Sequence, residues 1–306
     1  MRFETLKEEI HADLATWDGK TYLEGTFHKL PAGHWTDDTE MALALAESLI
    51  ASNGAWNGDD VSKKYLAWSQ GTPHGMGGST RNAMNRLKDG VPYTVSGELF
   101  ETPESVGSGT VMRCAPLGVA YRSRLSKMHV AARMDALITH NDINAEAGSV
   151  FVTGLISELS RWSPKDPGPG IRACAIMAYG IVQAAFGHGA NKTPLIETIT
   201  KYAWEAVGGG TPTVSETLNV GRRGNVHQIT CTALLATAVG WEDFGKGIEF
   251  AVRLGGDTDT RAAIAGAMLG ALHGQEGIPD HYKTGLKDYQ MIADIDQKLW
   301  ALGEIE

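Results

Sequence analysis

The hydrophobic positions of this chain recur at spacings of three and four much more often than at two. In EMALALAESLIA, Met41, Leu45, Ser48 and Leu49 fall on one face of a helix. The same period predicts helices over 59–69, 80–88, 110–122, 126–138, 144–160, 170–186, 194–206, 226–239, 242–254, 258–273 and 283–301. Strand signals are weak. VPYTVSG carries β-type residues, but no partner run follows at hairpin distance. The expectation is an all-α fold. SPKDPGPG at 163–170 is the segment richest in Pro and Gly, yet helical patterns resume on both sides, so one domain over 1–306 is the simplest partition. In the helical stretch after Gly256, Ala262, Gly266, Gly270 and Gly274 form a stripe with little side-chain bulk. Neighbouring helices can approach such a stripe closely, which predicts a central position for that helix.

Composition narrows the classes. Apolar residues make up 42% and charged residues 21%, as in an ordinary globular protein, so a packed core is expected. The net charge of −9 disfavours an unassisted binder of nucleic acid or membrane surface, since both are anionic. It suits a protein that gathers carboxylates around cations. Cys114, Cys174 and Cys231 form no C-x-x-C pair, which argues against a disulfide framework or thiolate zinc site and fits a reducing compartment. The longest low-polarity runs fall short of the ~18 residues a membrane span needs. MRFETLKEEI lacks the apolar core of a signal peptide, and a cytoplasmic location is expected.

Two short acidic motifs each precede an apolar helix: Trp35-Thr36-Asp37-Asp38-Thr39-Glu40 and Gly255-Gly256-Asp257-Thr258-Asp259-Thr260-Arg261. Helix capping is the plain account of either one alone, with Asp37 and Glu40 as a D-x-x-E box and Asp257 or Thr258 as the second cap. A cap needs one oxygen, however, and each motif supplies an aspartate pair and two hydroxyls. Crowded like charges are costly unless something positive balances them. Two aspartate pairs carry −4, which two divalent cations would neutralise. With oxygen donors only, the hard ions Mg²⁺, Mn²⁺ or Ca²⁺ are preferred over zinc. Such ions can orient a water or a substrate hydroxyl. Trp35 adjoins the first motif and is the one indole expected near a pocket.

The two motifs, the second with its long small-residue helix LGGDTDTRAAIAGAMLGALHG, resemble the ADP-ribosylglycohydrolase family. GMGGSTR (75–81), GSGTVMRCAPL (107–117) and THND (139–142) are similar to family segments as well, so the likeness covers about residues 20–275. The resemblance implies an orthogonal all-α bundle with a two-metal site for Mg²⁺ or Mn²⁺. Thr36, Asp37, Asp38, Asp257, Asp259 and Thr260 would be its ligands. It implies hydrolysis of the glycosidic bond between ADP-ribose and a modified acceptor through an oxocarbenium-like transition state. Asp38 or Asp259 would take a proton from the attacking water. Gly107, Ser108, Gly109 and Thr110, expected to open a helix, are candidates for the diphosphate, as are Gly77, Gly78 and Ser79. His140 is a candidate nucleotide contact. The implied partner is an ADP-ribosylated protein or a small ADP-ribose conjugate. Charge disfavours nucleic acid but leaves a terminal or single-base adduct open.

The chain departs from the family pattern in three places. It lacks the G-D-A-L-G helix and the following glutamate, with Arg2 or Glu4 near that place and Glu4, Glu8, Glu9 or Glu24 as substitutes. Ser108 stands where Asn or Asp is common. Gly78 stands where the enzymes acting on dinitrogenase reductase tend to carry aspartate, which speaks against an arginine-linked substrate. The alternative reading is therefore a weak or inactive member that binds ADP-ribose or metal without turnover, as lens crystallins of this fold illustrate. DTDTR also partly matches the D-x-D-x-T of aspartyl phosphotransferases. Arg261 replaces its final Thr, though, and the preceding AVRLGG has a helical period where that motif needs a strand.

Overall fold

The computed structural model describes residues 17–22, 30–98, 106–165, 170–187 and 224–304. Among them the regular structure is helical, with only two isolated β-bridges, Glu98 to Asn141 and Gly107 to Asn225. The helices are α1 Asp37–Ala51, α2 Gly58–Ser69, α3 Gly78–Lys88, α4 Tyr93–Ser96, α5 Ala115–Ala120, α6 Leu125–Thr139 and α7 Ile143–Leu159. After them come α8 Gly170–Phe186, α9 Val226–Val239, α10 Phe244–Arg253, α11 Thr258–Gly277, α12 Asp280–Thr284 and α13 Tyr289–Leu302. The helix expected over 194–206, and Arg2, Glu4, Glu8, Glu9 and Glu24, lie outside the described residues. Among the described residues no helix is long and apolar enough to cross a membrane. The three cysteines are buried and free, as their spacing implied.

The centre of the bundle is α7, not α11. Every residue of α7 after Ile143 is buried, and it packs on α5, α6, α8, α9 and α11. Its neighbours come close because small residues face it. A Cβ on Gly118 of α5 would stand 2.8 Å from both the Ile156 side chain and the Thr153 carbonyl, so only glycine permits that approach. The small-residue stripe of α11 points the other way. Ala262, Gly266 and Gly270 are half-buried, Gly274 is exposed, and the buried face is Thr260, Arg261, Ile264, Ala265, Met268, Leu269 and Leu272. Periodicity located the helix correctly, but the bulkier residues, with more apolar area to bury, took the core.

Three further expectations change. The 110–122 helix shrinks to Ala115–Ala120, with turns over 108–113. VPYTVSG becomes the single helical turn of α4, since a lone strand has no edge to pair with. The 283–301 helix is broken by a turn at 285–288, where Asp288 adopts a left-handed φ of 54°. That turn has a structural task. The Gly33 carbonyl accepts from the Lys287 amide, and the Lys287 carbonyl accepts the Trp35 indole N–H at 3.1 Å.

Candidate functional site

Helix α1 begins at the first acidic motif and α11 at the second, and the two N-terminal turns meet. The Thr36 hydroxyl lies 3.0 Å from Asp38 Oδ2 and 3.2 Å from Asp259 Oδ2, with one hydrogen to share between carboxylates from distant parts of the chain. The capping account fails. Thr36 is the N-cap of α1 and Asp257 that of α11, and neither side chain makes a capping hydrogen bond. Glu40 does not reach back to the helix start. Its carboxylate accepts the Trp68 indole N–H at 2.6 Å and pairs with His74 Nδ1 at 3.0 Å.

The electrostatics show how crowded the aspartates are. Burial, followed by the charges of Asp259 and Asp257, pushes Asp37 up to about 8. Burial and Asp259 push Asp257 up to about 7. Asp38, only 3% exposed, is raised well above the usual carboxylate range, again by burial first and then by Asp259 and Asp37. Its Oδ1 is buried and, among the described residues, meets no hydrogen-bond donor. Asp259 is the exposed member of the four.

The loop before α11 is shaped for this cluster. Gly255 and Gly256 both have φ near +70°, a region open to glycine at no steric cost. Behind them Arg261 is 2% exposed and donates to Gly255 O at 2.5 Å and Thr232 Oγ1 at 2.8 Å. Burial lowers its pKa to about 10, with Asp257 and Asp259 countering. Sequence reading noticed Arg261 only as a mismatch to another motif. Its structural role is to pin the glycine turn from beneath.

The candidate substrate loops converge on the same place. Ser108 Oγ lies 3.5 Å from Asp257 Oδ2. Gly77, Gly78 and Ser79 form the start of α3, and Cβ atoms on Gly77 or Gly78 would meet nothing within 4 Å. The Asp37 amide donates to the His74 carbonyl at 2.8 Å, which fixes that loop's entry to the first turn of α1. Gly107 to Thr110 is a run of turns rather than a helix N-terminus, so the helix-dipole argument for phosphate binding applies to α3 alone. The Thr110 hydroxyl donates to Ala145 O, and Thr110 is fully buried. A Cβ on Gly109 would stand 2.8 Å from His140 Cε1 and 3.2 Å from Thr80 Oγ1, so the two loops and His140 touch. Trp35 is half-buried and held by Lys287, whose ammonium sits 5.1 Å from the ring centroid.

Sequence reading missed the group beneath these loops. Arg113, fully buried, donates from Nε to Asp135 Oδ2 at 2.9 Å, from Nη2 to Asp135 O at 2.7 Å, and from Nη1 to Gly109 O and Thr139 Oγ1. The Tyr65 hydroxyl donates to Asp135 Oδ1 at 2.8 Å. No local pattern announces this trio, because its members come from α2, α6 and a loop.

The fold and site define a helical bundle in which two acidic helix starts and two glycine loops gather oxygen donors. Comparison with known proteins supplies the particular family. A family model described as ADP-ribosylglycohydrolase matches residues 1–305, and the chain belongs to that family. It is 25% identical to the ADP-ribosylarginine hydrolase Tri1 of Serratia proteamaculans, over 91% of this chain and 70% of that protein. It is also 25% identical to the ADP-ribosyl-[dinitrogen reductase] glycohydrolase of Rhodospirillum rubrum, over 91% of this chain and 82% of that protein. A solved structure titled ADP-ribosylglycohydrolase-related protein complex superposes with a TM-score of 0.70 and 28% identity, covering 97% of both chains.

Proposed function

We propose that this chain hydrolyses the glycosidic bond between ADP-ribose and an acceptor, using two Mg²⁺ or Mn²⁺ ions held by Thr36, Asp37, Asp38, Asp257, Asp259 and Thr260. The observation that carries the reading is the Thr36 hydroxyl shared between Asp38 and Asp259, which unites the two motifs. The residues fit such ions by chemistry. All donors are oxygens, the charge of Asp259 helps raise the pKa values of Asp37, Asp38 and Asp257, and among the described residues the buried Asp38 Oδ1 meets no donor. The carboxylates are gathered rather than closed into a shell: among the described residues, no three His, Cys, Asp or Glu side chains are arranged to hold an ion. The hydroxyls of Thr36 and Thr260 add oxygen donors beside the carboxylates, which hard ions accept.

Bound ions of this kind hold a water and ribose hydroxyls in place and stabilise the charge that develops as the bond breaks. The protein's own groups do the rest. Asp259 is the exposed carboxylate, with one oxygen engaged by Thr36, and its other oxygen takes the proton of the attacking water. Asp38 is buried beneath it and serves to hold position. The start of α3 at Gly77, Gly78 and Ser79 receives the diphosphate at the positive end of the helix dipole. Gly107, Ser108, Gly109 and the backbone of Thr110 contact the same ligand, with His140 packed against that loop. The acceptor is an arginine, a serine or a base, carried on a protein or a small conjugate.

The test is chromatographic detection of ADP-ribose released from arginine-, serine- and guanine-linked substrates, with Mg²⁺, with Mn²⁺ and with EDTA. Release that needs metal and disappears in Asp257→Ala/Asp259→Ala supports the assignment and names the linkage. A wild type that binds metal yet releases nothing from any substrate refutes it.

A further inference from the structure

His140 is 2% exposed, and its ring edge lies against the Gly107–Gly109 loop. A Cβ on Gly107 would lie 3.3 Å from Nε2. Among the described residues no protein group hydrogen-bonds Nε2, while Nδ1 is 2.8 Å from Thr139 Oγ1. Burial, then the nearby Arg113 charge, keep this imidazole neutral, with its pKa at about 3. A neutral imidazole carries its hydrogen on one nitrogen only, and the partner of the other decides which.

Hydrogen accounting settles the choice. Thr139 is fully buried, and its oxygen already accepts from Arg113 Nη1 at 2.7 Å. Were Nδ1 protonated, Thr139 Oγ1 would accept twice and its own hydrogen would find no acceptor among the described residues. With Nδ1 unprotonated, the hydroxyl hydrogen points at Nδ1 and only Nε2–H is left for a ligand, whereas the other tautomer strands both the hydroxyl hydrogen and the Nε2 lone pair. Arg113 is itself held by Asp135 and cannot yield its proton. Its direction of donation is therefore fixed, and passes through Thr139 to the ring.

We propose that Arg113 and Thr139 are positioning residues that hold His140 as the Nε2–H tautomer, presenting a neutral hydrogen-bond donor to an acceptor atom of ADP-ribose bound at the Gly107–Gly109 loop. This rests on the proposed function for its ligand, though not for its tautomer. A neutral donor fixed in this way selects an acceptor without adding a charge whose strength changes with pH.

The experiment is ¹⁵N NMR of the histidine ring nitrogens in the full chain from pH 6 to 8, followed by calorimetric titration with ADP-ribose. Thr139→Val keeps the shape and removes the hydroxyl, and Thr139→Ser restores the hydroxyl. Expected are Nε2–H for His140 in the wild type and in Thr139→Ser, and loss of that single tautomer in Thr139→Val. ADP-ribose should bind about tenfold more weakly to Thr139→Val, roughly one hydrogen bond's worth, with affinity recovered in Thr139→Ser. A wild-type ring protonated at Nδ1, or a Thr139→Val ring unchanged in tautomer, overturns the positioning role. Unchanged ADP-ribose affinity in Thr139→Val overturns the ligand contact. A wild type that binds no ADP-ribose overturns the ligand contact together with the functional reading, and the ring measurement still decides the tautomer.

Discussion

Replacing Asp135 by Asn tests whether the buried ion pair under the loops is held together as described. Arg113 and Asp135 are both wholly shielded from solvent, and three of the guanidinium's bonds go to Asp135 or to Thr139 at 2.9 Å or less. Asn keeps the shape but leaves a full positive charge in the interior without its counter-charge. Breaking a buried pair from one side costs about 3–5 kcal/mol. The Tyr65 hydroxyl loses its charged acceptor as well, which lies within that range. With an unfolding entropy of about 2.1 cal/mol/K per residue, 306 residues convert this loss to a fall in Tm of about 5–8 °C. Urea unfolding followed by circular dichroism measures the first number, and calorimetry the second. Arg113→Met combined with Asp135→Leu removes both charges, and the pair should cost far less than the sum of the single changes. A loss below about 1 kcal/mol in Asp135→Asn, or single effects that simply add, would refute the claim that the pair is buried and mutually dependent.

Three other outcomes are expected. If the aspartates hold cations, Mg²⁺ or Mn²⁺ at a hundred times its dissociation constant stabilises the wild type by about 2.7 kcal/mol. EDTA reverses that shift, Asp257→Ala/Asp259→Ala lacks it, and a wild type indifferent to both ions in a thermal-shift assay counts against the metal site. His140 has its folded pKa held down at about 3 by burial and Arg113, against about 6.5 unfolded. Its neutral form therefore contributes stability that is complete above pH 6.5 and drains away as the pH falls toward 3. Between pH 7.5 and 5.5 the wild type should lose about 1.4 kcal/mol more than His140→Gln in urea unfolding, and equal losses would dismiss the shift. Gly255→Ala, at a φ of +70° with open space around the missing Cβ, should cost about 1–2 kcal/mol by equilibrium unfolding from backbone strain alone. An unchanged stability would mean the turn tolerates a side chain.

The extent of each helix was largely legible from spacing. Met41, Leu45 and Leu49 are fully or almost fully buried on α1 as their period implied, because a helix can remove such residues from water only by turning one face inward. The two acidic motifs were equally plain, since each sets two aspartates and two hydroxyls together, more oxygens than a helix cap uses. What the period could not say was which helix lies innermost. The glycine stripe on α11 suggested close packing, yet the core went to α7, whose apolar and small residues encircle the helix and leave no face that prefers water.

Convergence was beyond one-dimensional reading. That Thr36 meets Asp259, that Ser108 meets Asp257, and that Gly109 rests on His140 depends on how helices far apart in sequence cross. The least legible feature was the Arg113–Asp135–Tyr65 trio. A buried charge looks like any surface charge until the fold withdraws its water and sets an opposite charge against it. The sequence by itself determined the helices, the acidic donors and the family resemblance, because these follow from local period and residue chemistry. Only the tertiary structure decided the neighbours, and neighbours set desolvation, hydrogen-bond direction and the charge each carboxylate has to bear.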